Sequence, residues 1–202
     1  ETIGPDALLM FDGHGRYDAD LAIRIGKLFE PLDFTFFEEP CQPEDEEGLA
    51  KVAAHVNIPI ATGERLSYLP EFQRLLTRGC ASVIQPDLGH SCGFGTALKA
   101  ARLAEAFNAF VAPHGPMSPV ITTVSLHLDA ILPNFLIQER LFLNDWRNEV
   151  ITEPLKVENG YITLNDKPGW GIELNEEICK AHPPIDPYTP RLHRPDGAVC
   201  DW

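Results

Sequence analysis

Short apolar runs alternate along this chain with longer stretches whose apolar residues recur every three or four positions. Leu8 to Asp12 is the first run, and Ala19 to Phe29 follows it with Leu21, Ile25, Leu28 and Phe29 at helical spacing. The same alternation predicts strands at Phe34–Glu39, Ile58–Glu64, Ser82–Asp87, Ala109–His114 and Phe135–Glu139. Between them it predicts helices at Glu44–Val56, Pro70–Thr77, Gly95–Phe107 and Ser118–Leu132. Near-continuous apolar strands separated by amphipathic helices imply an α/β fold, a parallel sheet covered by helices on its outer face.

The pattern stops after Glu139. Asn159-Gly160 between apolar flanks predicts a hairpin over Val157–Leu164. The prolines at 183, 184, 187, 190 and 195 predict an extended tail lying over the surface. The chain therefore divides into a β/α part, residues 1–140, and a C-terminal hairpin and tail, residues 141–202.

Each predicted strand ends on a chemically useful side chain: Asp12, Glu38, Glu64, Asp87, His114 and Glu139, at intervals of 23 to 27 residues. One such interval is the length of a strand-loop-helix-loop unit. In a parallel β/α barrel all strands end on one face, so these six side chains are expected to converge on one small volume. Six strands do not close an eight-stranded barrel, and an open sheet of this kind leaves an apolar interior and backbone edges exposed. Two strands are expected to be missing from the start, and an isolated polypeptide beginning at Glu1 is expected to be neither a stable nor an active monomer.

Composition narrows the classes of function. With 44% hydrophobic residues among 202, the chain can bury a core. It has no apolar run of membrane-spanning length and no signal pattern at its start, so a soluble, cytoplasmic protein without a membrane partner is expected. A net charge of −14 argues against nucleic acid as a partner. Five cysteines, an odd count without a CxxC pair, suggest neither a disulfide framework nor a zinc knuckle.

The residue types already suggest a chemistry. Asp12, Glu38 and Glu64, from adjacent strands, offer hard oxygen ligands suited to Mg²⁺. Singly, each carboxylate reads as a solvated loop residue or helix cap, and only the shared register raises the metal reading. Glu38 and Glu39 point to opposite faces of one strand, so only one can meet the barrel axis. His114 is the candidate base, with Asp87 holding its second ring nitrogen. His14 stands two residues beyond Asp12, and period-two geometry points it to the same face. Arg65 is a candidate for a substrate carboxylate or a structural ion pair, and His90 for substrate hydroxyls or solvent.

The strings Phe11-Asp12-Gly13-His14-Gly15, Phe37-Glu38-Glu39-Pro40, Thr62-Gly63-Glu64-Arg65, Gln85-Pro86-Asp87-Leu88, Ala112-Pro113-His114-Gly115 and Ile137-Gln138-Glu139 carry a family resemblance. So do Pro168-Gly169-Trp170-Gly171-Ile172-Glu173 and the ending from His193 to Trp202. The chain resembles the enolase superfamily, mandelate racemase subgroup, and within it the galactonate dehydratases and related acid sugar dehydratases. The resemblance implies the C-terminal six strand-helix units of a modified TIM-type (β/α)7β barrel, strands three to eight, without the N-terminal α+β capping domain and the first two strands.

It further implies Mg²⁺ on Asp12, Glu38 and Glu64, with Glu38 chosen over Glu39, which is left to a salt bridge or cap. His114 with Asp87 is then the base that removes the proton next to the substrate carboxylate. His14 is the acid that assists departure of the 3-hydroxyl, and Glu139 a partner of the substrate carboxylate or enediolate. An acid sugar is the expected partner and a homo-oligomer the expected assembly. A racemase or epimerase on the same scaffold and a non-catalytic relative are the alternatives; a metal-dependent hydrolase is disfavoured because no HxH pair ends a strand.

Overall fold

The computed structural model describes residues 4, 7–116, 118–140, 145–184, 193 and 195–198. Five parallel strands lie in sequence order: β1 (Met10–Asp12), β2 (Phe36–Glu38), β3 (Ile60–Thr62), β4 (Val83–Ile84) and β5 (Phe110–Val111). Each is followed by a helix: α1 (Ala19–Phe29), α2 (Glu46–His55), α3 (Leu69–Thr77), α4 (Gly93–Ala106) and α5 (Pro119–Asp129). The helices match the sequence reading within a few residues. The ladder is shorter than the apolar runs, because the strand ends open into loops that carry the polar side chains.

The expected sixth strand is present as extended chain held at one point. Phe135 bridges Val111 in parallel, with Leu136 N–H donating to the Val111 carbonyl at 2.8 Å and Val111 N–H to the Asn134 carbonyl at 2.9 Å. A second bridge, Asp87 to His114, extends the ladder between β4 and β5 beyond the strands themselves.

Strand period divides the core into two layers. Phe37, Ile60, Ile84 and Val111 point outward and pack against Ala22, Leu49, Val52, Phe72, Leu75 and the alanine face of α4. Four alanines on that face, 97, 100, 101 and 104, let α4 lie close to the sheet. Phe36, Ala61, Val83 and Ala112 point inward and form a separate, smaller cluster with Leu136 and Ile137. The inner face is bare toward its edges: Met10, in register with Phe36, is 37% exposed, and Phe110, in register with Val83, is 49% exposed. Among the described residues β1 pairs with β2 alone, so the sheet is open, as the strand count predicted.

Helix starts follow local chemistry. Asp18, Asp45 and Ser118 cap α1, α2 and α5, each side chain accepting a backbone N–H three residues on. The hairpin at Asn159-Gly160 is reduced to a single bridge, Glu158 to Tyr161, around two residues of positive φ, 53° and 82°. A short helix, α6 (Glu176–Ala181), precedes the prolines; most of the expected extended tail lies outside the described residues. No helix among the described residues is long and apolar enough to cross a membrane.

Candidate active site

Asp12 and Glu38 close the ladder between β1 and β2 as register partners, so their side chains leave the same face as neighbours. Gly13 N–H donates to the Glu38 carbonyl at 2.9 Å and Gly15 N–H to the Glu39 carbonyl at 2.7 Å, so the loop after β1 stays bound to the chain after β2. A methyl group on Gly13 would stand 2.9 Å from the Tyr17 ring and 3.0 Å from the Glu39 carbonyl, which only a residue without a side chain accepts.

His14 reaches the site by another route than the sequence predicted. The strand ends at Asp12, and His14 is left-handed, φ 46°, in a turn in which its N–H donates to Asp12 Oδ1 at 2.6 Å. Histidine tolerates that conformation better than most residues. The turn, rather than strand alternation, brings His14 Nδ1 to 3.8 Å from both Asp12 Oδ2 and Glu64 Oε1.

Glu64 lies on the loop after β3 and is 7% exposed. Its second oxygen, Oε2, is 3.5 Å from His114 Nε2. His114 Nδ1 is 2.6 Å from Asp87 Oδ2. Glu139 Oε2 accepts the Gly115 N–H at 2.8 Å and stands 3.9 Å from His114 Nε2. Of the sequence-selected residues, Asp12, His14, Glu38, Glu64, Asp87, His114 and Glu139 thus gather at the C-terminal end of the sheet.

The electrostatics are those of crowded carboxylates. Glu38 is pushed up to about 8 by burial, against a hydrogen bond from Gln85 and with the charges of Asp12, Glu64 and Glu139 adding to the rise. Burial also opposes the charged form of Asp87, but hydrogen bonds from His114 and from the N–H groups of His90 and Gly89 outweigh it and hold Asp87 below the usual carboxylate range. Burial disfavours the imidazolium of His114, and the Asp87 hydrogen bond with the charges of Glu64 and Glu139 overcomes it, raising its pKa above the ordinary histidine value. An ionised Asp87 accepts only, so His114 Nδ1 carries the proton and a neutral His114 presents an unprotonated Nε2 to the carboxylate cluster.

Arg65 and His90 border this cluster rather than join its line of carboxylates and histidines. The Arg65 guanidinium pairs with fully buried Glu39 and donates to Gln42 Oε1 at 3.1 Å. His90 is exposed, and its backbone N–H serves Asp87. One residue of the site was not singled out from the sequence, and another, Glu39, takes the salt-bridge role that the sequence reading left to it. Gln85, buried just past the end of β4 and two residues before Asp87, is the polar partner of Glu38, and the period-two spacing was the available signal. Glu39 sits in left-handed backbone at φ 36°, accepts from Thr62 Oγ1 at 3.3 Å, and groups with His14 and Glu64 so that one ligand atom of each lies within 4.8 Å of the others.

Residues 1–178 match the model of the family described as enolase C-terminal domain-like. The chain belongs to that family. It is 36% identical over 211 residues to a D-galactonate dehydratase of Pectobacterium atrosepticum, a match that takes in all of this chain and 55% of the relative. A D-gluconate/D-galactonate dehydratase of Picrophilus torridus is 35% identical over 88% of the chain and 46% of its own length. Among solved structures, an enolase from Agrobacterium radiobacter with bound Na and L-malate superposes with a TM-score of 0.88 at 32% identity, covering 96% of this chain and 53% of that one. A mandelate racemase/muconate lactonizing enzyme from Jannaschia sp. gives 0.86 at 40% identity, covering 92% and 47%. The chain spans about half the length of the relatives it matches.

Proposed function

We propose that the protein is a Mg²⁺-dependent dehydratase of an acid sugar, an aldonate such as galactonate or an aldarate, yielding a 2-keto-3-deoxy sugar acid. The observation that carries this reading is the placement of two histidines at the two oxygens of one carboxylate, His14 at Glu64 Oε1 and His114 at Glu64 Oε2. A pair of acid/base groups flanking a carboxylate cluster suits an elimination, which must remove one proton and donate another. The dehydratase relatives support the substrate class.

The cluster has the donor set for the cation. Asp12, Glu38 and Glu64 present hard oxygens; burial, with a smaller contribution from the charges of Asp12, Glu64 and Glu139, raises Glu38 to about 8, and a bound cation would favour its ionised form. Glu39, although near His14 and Glu64, is engaged by Arg65 and Thr62, which favours Glu38 as the ligand. Bound there, Mg²⁺ supplies electrostatic stabilisation of the negative charge that develops on the substrate carboxylate as its α-proton leaves.

The protein's own groups do the proton work. Neutral His114 takes the α-proton at Nε2, while Asp87 fixes the ring through Nδ1 and stabilises the imidazolium that results. His14 donates a proton to the departing 3-hydroxyl, which leaves as water. Glu139, oriented by the Gly115 N–H, hydrogen-bonds to the substrate carboxylate or the enediolate oxygen when it carries a proton or through a bridging group. The enol then tautomerises to the 2-keto acid. Arg65, held by Glu39, is assigned to the wall of the site, and His90 to the rim where sugar hydroxyls end.

The test is a screen of the intact gene product with Mg²⁺ against aldonic and aldaric acids for a 2-keto-3-deoxy acid. Turnover of one or a few is expected. Metal-dependent exchange of the α-proton with solvent deuterium, without dehydration, points instead to racemase or epimerase chemistry; absence of both excludes catalysis of this type.

A further inference from the structure

His14 is the middle residue of a short turn, Gly13 to Gly15, that the loops after β2 and β3 hold from one side. Gly15 N–H donates to the Glu39 carbonyl at 2.7 Å, next to the bond from Gly13 N–H to the Glu38 carbonyl. The fully buried side chain of Glu39 pairs with the Arg65 guanidinium. Glu39 therefore grips the turn with its main chain and Arg65 with its carboxylate. Arg65 also meets the turn directly: a methyl group on Gly15 would overlap its Nη2 and stand 3.2 Å from the amide of Gln42, to which Arg65 Nη1 donates.

The backbone of the turn needs such a hold. His14 and Gly15 are both left-handed, at φ 46° and 67°, and Glu39, which receives the Gly15 N–H, is left-handed at φ 36°. Outside glycine that region is sparsely populated and persists where surrounding contacts over-determine it. Here those contacts converge on one guanidinium. Its Nη1 is engaged by Gln42, its Nη2 by Glu39, and its Nε is buried and so closed to a ligand. Glu64, the neighbour of Arg65 in sequence, is tied elsewhere: Ser91 Oγ donates to its carbonyl at 2.8 Å.

We propose that Arg65 is a positioning residue for His14. Through Glu39 and Gly15 it fixes the turn that sets the acid of the elimination beside Glu64, while the base, His114, is fixed separately by Asp87. The chemical consequence rests on the dehydratase reading; the seating of the turn does not. The role requires a planar fork, because one nitrogen faces Glu39 and Gly15 and the other faces Gln42. A lysine ammonium restores the charge without spanning both.

The experiment compares the intact gene product with its Gly15→Ala and Arg65→Lys variants, with Mg²⁺ and the acid sugar that the native protein dehydrates. Two rates are read on folded protein: formation of the 2-keto-3-deoxy acid, and exchange of the α-proton for deuterium in recovered substrate. The ratio of dehydration to exchange is expected to fall on the order of tenfold to a hundredfold in both variants, because the acid is displaced and the base is not. A substrate contact by Arg65 would raise KM for both reactions alike, and a general loss of structure would lower both rates together; an unchanged ratio of either origin overturns the proposal. The second readout needs neither metal nor turnover. The His14 imidazole resonance, assigned by its loss in His14→Asn, is expected to move in the NMR spectra of both variants while that of His114 stays. An unmoved His14 resonance overturns the proposal. A native protein that forms no 2-keto-3-deoxy acid overturns the dehydratase reading and with it the acid role of His14, whereas a moved His14 resonance still supports the seating of its turn on Arg65.

Discussion

Asp87 and His114, at the ends of neighbouring strands, are joined twice: by a parallel backbone bridge and by a 2.6 Å contact between Asp87 Oδ2 and His114 Nδ1. The sheet itself therefore sets the distance between the two side chains. The Gly89 N–H, 2.7 Å from Asp87 Oδ1, and the His90 N–H lock the carboxylate from its other side. An imidazole fixed this way presents Nε2 in one direction, which is what a base for a weak carbon acid requires.

The two histidines are separable by experiment. His114→Asn is expected to abolish both dehydration and exchange of the substrate α-proton in deuterium oxide. His14→Asn is expected to abolish dehydration while α-proton exchange persists. Each loss is expected on the order of 10²–10⁴-fold, read by product assay and by proton NMR of the recovered substrate. Loss of exchange in His14→Asn would remove the distinction between base and acid drawn above.

The carboxylate cluster predicts a response to metal that needs no turnover. Mg²⁺ is expected to raise the melting temperature of the intact protein, by about 2.7 kcal/mol of stability at a hundred times its dissociation constant. Chelation with EDTA is expected to reverse the gain. Glu38→Gln is expected to lose the Mg²⁺-dependent increment while melting no lower than the metal-free native protein, because burial already disfavours the charged carboxylate that the substitution removes. A full Mg²⁺ increment in Glu38→Gln would move the ligand role to Glu39.

Arg65→Ala leaves the Glu39 carboxylate fully buried beside Thr62 without its cation. Breaking a buried pair in this way costs about 3–5 kcal/mol, with the lower end expected here because Arg65 is 30% exposed. Urea denaturation is the measurement. Arg65→Lys is expected to recover part of the loss, since it restores the charge and not the planar fork.

Asp129 predicts a pH dependence of stability with a definite sign. Burial raises its pKa from 3.8 to about 8 in the folded chain. The folded state then holds a proton that the unfolded state has released between those values, so stability falls as pH rises from about 4 to about 8 and is level above. Relative to Asp129→Asn the slope has a ceiling of about 1.4 kcal/mol per pH unit. Paired urea titrations across that range measure it, and a difference that rises with pH would show that the carboxylate is ionised in the fold.

The alternation of apolar runs and helical periods is a local property, so the order of strands and helices, and the spacing that puts an acid or histidine at each strand end, were legible in the chain alone. The choice between Glu38 and Glu39 needed the family resemblance, because alternation says that they part and not which one faces inward. What only the tertiary structure decided depends on contacts between residues distant in sequence. His14 meets Glu64 through a left-handed turn that no strand period encodes. Arg65 is drawn to Glu39 because the bend after β2 buries that carboxylate. Asp129 passes in the sequence for an ordinary residue near a helix end, and its burial without a hydrogen-bond partner among the described residues follows from the packing of α5, the Phe135 segment and the hairpin region around one cavity. Side-chain periodicity determines which face a residue takes; burial and pairing are set by whatever the fold brings to that face.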